Sequence, residues 1–438
     1  MQVNTSDFVH LFRTAAPYIH AHRGKTFVIK LPGEIMQTPR SSHLVYDVAL
    51  LNSLGVRVVI VYGARPQIEI RLKSAGIETA FNDDLRVTDQ TAMEGVKEAV
   101  GALGLEIKAK LSMSLGNTPM ADACVQVATG NYVMAQPLGI RAGVDYQYTG
   151  KIRSINTDAI NKGLDNNEIV LVPPIGYSST GEVFNLGSDE VAAGLAIALK
   201  ADKLIYITDK QNLIATGENL THQLTESEAE RILNSNEVEE NQQGHLKRAV
   251  RACRQGVKRV HLIDRDIDGS LLQELFSRDG IGTMVSLKPF DDIRVANIGD
   301  IPGIFELIEP LEEEGVLVKR SREKLELEID HFTVLLRDNV IIGCVALYPF
   351  NDDAAGELAC LVIHQDYRNG GRAEELLKYV ENIARENRLS RLFVMTTQTT
   401  HWFLEHGFSE TKVEDLPVAK KELYNYQRNS RVLVKQLT

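Results

Sequence analysis

Cysteine is scarce: four residues, Cys124, Cys253, Cys344 and Cys360, lie far apart in 438, with no C-x-x-C pair. That excludes a disulfide framework and a cysteine-based zinc site. No histidine pair stands at ligand spacing beside a cysteine or acid, so no metal is expected. Long apolar runs are missing as well, and none is long enough to span a bilayer. Residues 1–25 alternate polar and apolar around Asp7, Arg13 and Arg23, which leaves no signal-peptide core. There is no dense Lys/Arg tract, and the formal net charge of -11 speaks against nucleic acid or an anionic membrane as partner. A cytoplasmic protein acting on small metabolites is expected.

The length exceeds what one hydrophobic core usually organises, so two domains are the default. Phe8, Leu11, Phe12, Ala15, Ala16 and Ile19 fall at helical spacing after possible caps at Thr5 and Ser6, which predicts an amphipathic helix ending near Pro17–His20. From Thr26 the runs TFVIKL, RVVIVYG, NEIVLVPPIG, DKLIYIT and RVHLID alternate with amphipathic stretches at 41–54, 188–200 and 245–256. Such alternation predicts an α/β domain whose mainly parallel sheet is covered on both faces. The rhythm stops near GTMVSLKPFDD and restarts as strand, helix, helix and a hairpin turning at Asp338-Asn339, the pattern of an antiparallel α+β domain. The expected divisions are a helix over 1–20, a first domain over 21–285, a linker over 286–293 and a second domain over 294–438.

The second domain carries the sharper signal. Residues 357–363 read as a strand, and Ala373, Leu376, Leu377, Val380, Ile383 and Ala384 mark one apolar helix face. Between them sits Arg368-Asn369-Gly370-Gly371-Arg372-Ala373. Glycine-rich backbone at a helix start presents unpaired N–H groups that suit a pyrophosphate, and two arginines add positive charge. Arg368, Gly371 and Ala373 meet the pattern R/Q-x-x-G-x-G/A, and the stretch resembles the coenzyme-A signature of the GCN5-related N-acetyltransferase (GNAT) family. The resemblance implies acetyl-CoA as co-substrate, with pantetheine along Cys360, Leu361 and Val362. That family usually has a tyrosine proton donor four residues before a Gly-Phe pair. Here the position is Phe403, which cannot donate, so the acid is open, with Thr396 or Thr397 as sources of a hydroxyl. Glu357 opens the strand and is placed to take a proton from an attacking ammonium. Guanidinium clamps for an acidic acceptor are offered around Lys319, Arg320 and Arg322 and by Arg428 with Ser430.

In the first domain, TFVIKLPG, VVIVYGARPQI, VFNLGSDEVAAGLAIALKADKLIYITD and LLQELFSRDGIGTM resemble segments of the amino-acid kinase family, with Asn185 and Asp189 at matching positions. An amino-acid-kinase-like domain ahead of a GNAT domain is the order found in bacterial amino-acid N-acetyltransferases that begin arginine biosynthesis. That resemblance implies direct acetyl transfer to L-glutamate, with Arg320, Arg428 and Ser430 on its carboxylates, the Cys360 backbone orienting its amine, Glu357 as base and Thr396 as a candidate acid. It also implies an effector site for L-arginine at Tyr18, His261, Glu274, Gly280 and Gly282, and a homo-oligomer, a hexamer favoured, interlaced through the N-terminal helix. The phosphate loops depart from the kinases. Pro32 interrupts Lys30-Leu31-Pro32-Gly33, Ala64 and Arg65 replace glycines after Gly63, and Lys247 is the nearest match to a later lysine. Loss of kinase chemistry is therefore expected. A bifunctional acetyltransferase and kinase, or a non-catalytic arginine sensor, are the alternatives.

Overall fold

β-branched runs without polar interruption have both faces to bury, and here they pair with one another. The computed structural model describes residues 5–82, 85–114, 116, 118–216, 219–235, 240–277, 280–287, 291–337, 340–368, 371–422 and 430–437. Its first unit, Met1–Pro289, is built on one sheet of eight strands. These are β1 (Thr26–Leu31), β2 (Arg57–Tyr62), β3 (Val127–Ala128), β4 (Ile169–Val172), β5 (Lys203–Thr208), β6 (Gln223–Thr225), β7 (Arg259–Asp264) and β8 (Thr283–Ser286). They lie in the order β6-β8-β7-β5-β1-β2-β4-β3, and every pairing is parallel except β7 with β8.

The helices of this unit include α1 (Thr5–His22), α2 (Arg40–Ser53), α3 (Arg65–Ser74), α4 (Gln90–Leu111), α5 (Ser188–Ala198), α6 (Glu240–Arg254) and α7 (Ser270–Phe276). On β1, Phe27, Ile29 and Leu31 enter the core shared with α2, α3, α4 and α7, whereas Val28 enters the core shared with α5 and α6. A period of two on each strand thus feeds two helical layers. A further four-stranded sheet, formed by Val133–Pro137, Gly150–Ile155, Ile175–Tyr177 and Val183–Asn185, was not expected from the sequence. The N-terminal helix also corrects an expectation, for it runs through Pro17 to His22 rather than ending near His20. His22 explains the last turn: its Nε2 lies 2.8 Å from the Leu275 carbonyl, and its ring meets Phe27 and Phe276 edge-on.

The second unit, Phe290–Thr438, has a seven-stranded sheet. Its strands are β9 (Asp291–Val295), β10 (Phe332–Arg337), β11 (Val340–Phe350), β12 (Ala355–Ile363), β13 (Arg391–Thr396), β14 (Ser409–Thr411) and β15 (Arg431–Gln436), in the order β9-β10-β11-β12-β13-β15-β14. Only β12 with β13 is parallel. Residues 291–293, expected in a linker, already belong to β9, while 288–290 and the hairpin turn 338–339 lie outside the described residues. Helices α8 (Ile301–Glu313) and α9 (Arg322–Glu328) cover one face, and α10 (Arg372–Glu386) covers the other. The short helices α11 (Thr400–Glu405) and α12 (Val418–Lys421) follow. Among the described residues no helix is long and apolar enough to cross a membrane.

One charged cluster ties the layers of the first unit together. Asp189, in the first turn of α5, receives Lys30 Nζ of β1 at 3.0 Å and faces His245 Nε2 and Arg248 Nη1 of α6 at 3.8 and 4.0 Å. Burial alone would raise the Asp189 carboxyl, yet Lys30, His245 and Arg248 hold it well below the usual carboxylate range. A carboxyl depressed in the folded state stabilises above its unfolded pKa, and that stabilisation is lost as the pH falls through the folded value. Asp189→Asn, which leaves Lys30 facing a neutral amide, is expected to cost about 2–4 kcal/mol at pH 7. Thermal melts of the two proteins should differ most at neutral pH and converge below about pH 4.

Candidate functional site

The second unit contains a fork. β12 pairs with β13 only at Ala355, Gly356 and Glu357, although β12 continues to Ile363 and β13 to Thr396. The cause is local: opposite β11 the register jumps from Ala346↔Ala359 to Cys344↔Val362, so one extra residue sits in β12. Cys360 takes it up with φ of 50°, a left-handed conformation that a non-glycine residue adopts at a cost. Past Glu357 the β12 edge that faced β13 therefore has, among the described residues, no strand beside it, which suits an extended chain bearing amides.

The signature loop follows β12. Gly371, with φ of 72°, caps α10 without a side-chain cap, so the first N–H groups of the helix remain available. Asn369 and Gly370 lie outside the described residues. The arginines do not simply decorate the loop, as the sequence reading had them. Arg372 turns back, its Nε donating to Asp291 Oδ2 at 2.8 Å and its Nη1 to the Tyr367 carbonyl at 3.2 Å. Arg368 Nε reaches the Ile363 carbonyl at 3.3 Å. Both arginines brace the loop between strand and helix, and Ala373 packs half-buried against the α10 core.

On the α8/α9 side of the fork, polar groups converge. Glu357 is 7% exposed and is the cross-strand partner of Tyr348, so the two side chains leave the sheet together. Lys420 Nζ on α12 stands 2.7 Å from Glu357 Oε2. Tyr348 Oη donates to Glu328 Oε2 at 2.7 Å. The backbone N–H of Arg320 donates to Glu312 Oε1 at 3.1 Å and its Nη1 to the Val318 carbonyl at 3.0 Å. Arg320 Nε is buried and has no hydrogen-bond partner among the described residues. An unsatisfied buried donor on a guanidinium is a place for an anion. Burial pushes the Cys360 thiol up to about 11 against the pull of Arg320, so it is protonated at neutral pH and a poor nucleophile.

The remaining residues of this set are less converged. Thr396 ends β13, where its Oγ1 lies 2.9 Å from Thr399 Oγ1 and accepts the N–H groups of Gln398 and Thr399 at 3.3 and 3.1 Å. Its hydroxyl is engaged in that turn. Phe403, where a tyrosine donor was sought, is buried in the core and meets Phe408 edge-on at 5.2 Å. Ser430 stands just before β15, half-buried, and Arg428 lies outside the described residues.

In the first unit the effector candidates are joined in a chain of contacts. His261 Nδ1 meets Glu274 Oε1 at 2.6 Å, and Glu274 Oε2 accepts the N–H groups of Ile281 and Gly282 at 2.8 and 2.9 Å. A Cβ on Gly280 would stand 2.5 Å from that same Oε2, and one on Gly282 2.2 Å from the Leu262 carbonyl. Burial and the neighbouring Lys203 lower His261 to about 4, so the ring is neutral. Tyr18 packs on His22, which docks on α7 beside Glu274. Both oxygens of Glu274 are thus already engaged.

The kinase-like loops close on each other. Gly63 N–H, a donor that a phosphate would need, donates instead to the Leu31 carbonyl at 2.7 Å. Gln67 Nε2 donates to the Gly33 carbonyl at 2.7 Å, and a Cβ on Gly33 would stand 2.8 Å from the Gly63 carbonyl. Lys247 does not face Asp189; it is exposed, with Nζ 3.3 Å from Gln243 Oε1, and His245 and Arg248 take the inward places. Residues overlooked in the sequence include Tyr348, Glu328, Glu312 and Lys420. Only pairing register or tertiary contact brings them to the fork, and no spacing marks them.

Comparison with known proteins agrees with both halves. Residues 25–264 match the amino acid kinase family and residues 301–408 the acetyltransferase (GNAT) family. The amino-acid acetyltransferase of Yersinia enterocolitica is 49% identical over 441 residues, and that of Serratia proteamaculans 48% over 443, with all of each chain aligned. Among solved structures, N-acetylglutamate synthase from Neisseria gonorrhoeae complexed with coenzyme A and L-arginine covers 98% of this chain and 99% of its own, at 36% identity and a TM-score of 0.89. The same synthase complexed with coenzyme A and N-acetyl-glutamate has equal coverage, 37% identity and a TM-score of 0.62. With identity near one half sustained from end to end, this chain belongs to the amino-acid acetyltransferase family.

Proposed function

We propose that the protein transfers the acetyl group of acetyl-CoA to the α-amino group of L-glutamate, giving N-acetyl-L-glutamate and CoA. The observation that carries this reading is the fork at Glu357, with a carboxylate at its root and the unpartnered Arg320 Nε on the same side. Pantetheine amides pair with the free edge at Cys360, Leu361 and Val362, and the pyrophosphate rests on the turn Arg368–Ala373 and the first N–H groups of α10. Arg320, Arg428 and Ser430 hold the glutamate carboxylates. Glu357 removes a proton from the ammonium, directly or through water; the neutral amine attacks the thioester carbon, and the C–S bond breaks as the tetrahedral intermediate collapses. The thiolate leaves as CoA after taking up a proton, with Thr396 as a candidate donor. The protonated Cys360 supports transfer within a ternary complex, without an acetyl-enzyme.

L-Arginine, the end product of the pathway this reaction opens, binds in the first unit at Tyr18, His261, Glu274, Gly280 and Gly282 and inhibits transfer. A guanidinium there meets Glu274 at the lone pair left beside His261, or displaces the 281–282 amides. Copies associate through α1, whose Phe8, Leu11 and Phe12 are about 60% exposed in a single chain.

Glutamate-dependent thiol release from acetyl-CoA is the direct test. Glu357→Gln is expected to lower kcat about 10²- to 10⁴-fold, and failure of the wild type to release thiol with any amino acid would end the acetyltransferase reading. Calorimetric titration should detect arginine binding to the wild type and lose it in Glu274→Ala. Undiminished binding by that variant would move the effector site elsewhere.

A further inference from the structure

Glu357 already holds a cation on one carboxylate oxygen. Lys420 Nζ occupies it at 2.7 Å, with side chains only 20% and 9% exposed. Lys420 rides on α12, a four-residue helix none of whose residues is buried; the anchor is Leu416 just before it, packed with Ala355, Phe393 and Val432. A single helical turn has little stability of its own, so its displacement costs little. The other titratable groups near Glu357 are Tyr348 across the strand pair and Cys360 on its own strand, with Arg320, Glu312 and Glu328 reached through them. Lys420 alone among the described residues forms an ion pair with it.

We propose that Lys420 is a stand-in for the acceptor: without substrate its ammonium holds the seat on Glu357 that the α-ammonium of an amino acid takes during turnover, and α12 withdraws it as that substrate enters. The inference rests on Glu357 being the base. Two ammonium groups on one carboxylate repel each other. A proton passed to Glu357 with Lys420 still in place would leave a cation in a largely buried position with no counter-charge. The exchange favours acceptors that bring a primary ammonium.

The test is steady-state kinetics at saturating acetyl-CoA, with L-glutamate varied between pH 6 and 9, for wild type, Lys420→Met, Lys420→Arg and Glu357→Gln. Lys420→Met should lower the KM for glutamate about tenfold, because the incoming ammonium no longer has to displace a cation from Glu357. Lys420→Arg should hold it near wild type. KM does not depend on how much enzyme folds, so poor folding of the Met variant does not mask the answer. If Glu357→Gln loses turnover while Lys420→Met leaves KM unchanged or raises it, the stand-in role is overturned and the base survives. If Glu357→Gln turns over at the wild-type rate, the base assignment fails and the stand-in role with it.

Discussion

A single left-handed residue in the middle of a strand organises the second unit. With strict alternation, Cys360 would share a face with Leu358. The bulge instead puts Ala359 and Cys360 on the same side, with Leu358 in the α10 core and Cys360 and Val362 in the α8/α9 core. The same residue ends the pairing of β12 with β13. Backbone geometry at one position thus opens the slot, sets the thiol near Arg320 and leaves Glu357 as the last paired residue before the gap. A positive φ on a β-branched or large side chain would be harder to hold, and the small cysteine fits the need.

The first unit uses glycine in the opposite sense. In a phosphate loop, the missing Cβ lets backbone donors approach a ligand. Here the missing Cβ atoms at Gly33 and Gly63 let the two loops approach each other, and Gly63 N–H is consumed by Leu31. The Lys30–Asp189 pair persists, but His245 and Arg248 surround the same carboxylate, and the cluster joins β1, α5 and α6 as a strut.

The sequence made the layers legible because burial on one or two faces imposes its period directly. The parallel sheet, the α8–α9 pair, the α10 face and the glycine that starts α10 are all local patterns. Pro17 misleads because the loss of one helical hydrogen bond is outweighed by the docking of His22, which is a tertiary contact. Lys247 misleads by helical phase: one residue on, Arg248 points inward, and without the depth of the site the inward residue cannot be chosen. Arg372 looks like a phosphate ligand by type and place, yet Asp291, eighty-one residues earlier, claims it. Glu357 is legible as a strand-end acid, whereas its partners Tyr348 and Lys420 depend on cross-strand register and on a chain reversal that leave no periodic trace.

The charges at the fork are nearly all spoken for before a substrate arrives. Glu357 has Lys420, Glu328 has Tyr348, and Glu312 has the Arg320 N–H. Three carboxylates without such partners would be mutually repulsive and costly to bury. On the function proposed above, an amino acid with an acidic side chain brings one cation and two anions and enters by exchange, its ammonium for that of Lys420, while a carboxylate takes up the unused Arg320 Nε. An acceptor with only the cation would leave that guanidinium unsatisfied, and one with only the anion would leave Lys420 where it stands. On that proposal, selectivity for an acidic amino acid follows from which polar groups the site already satisfies and which it leaves open.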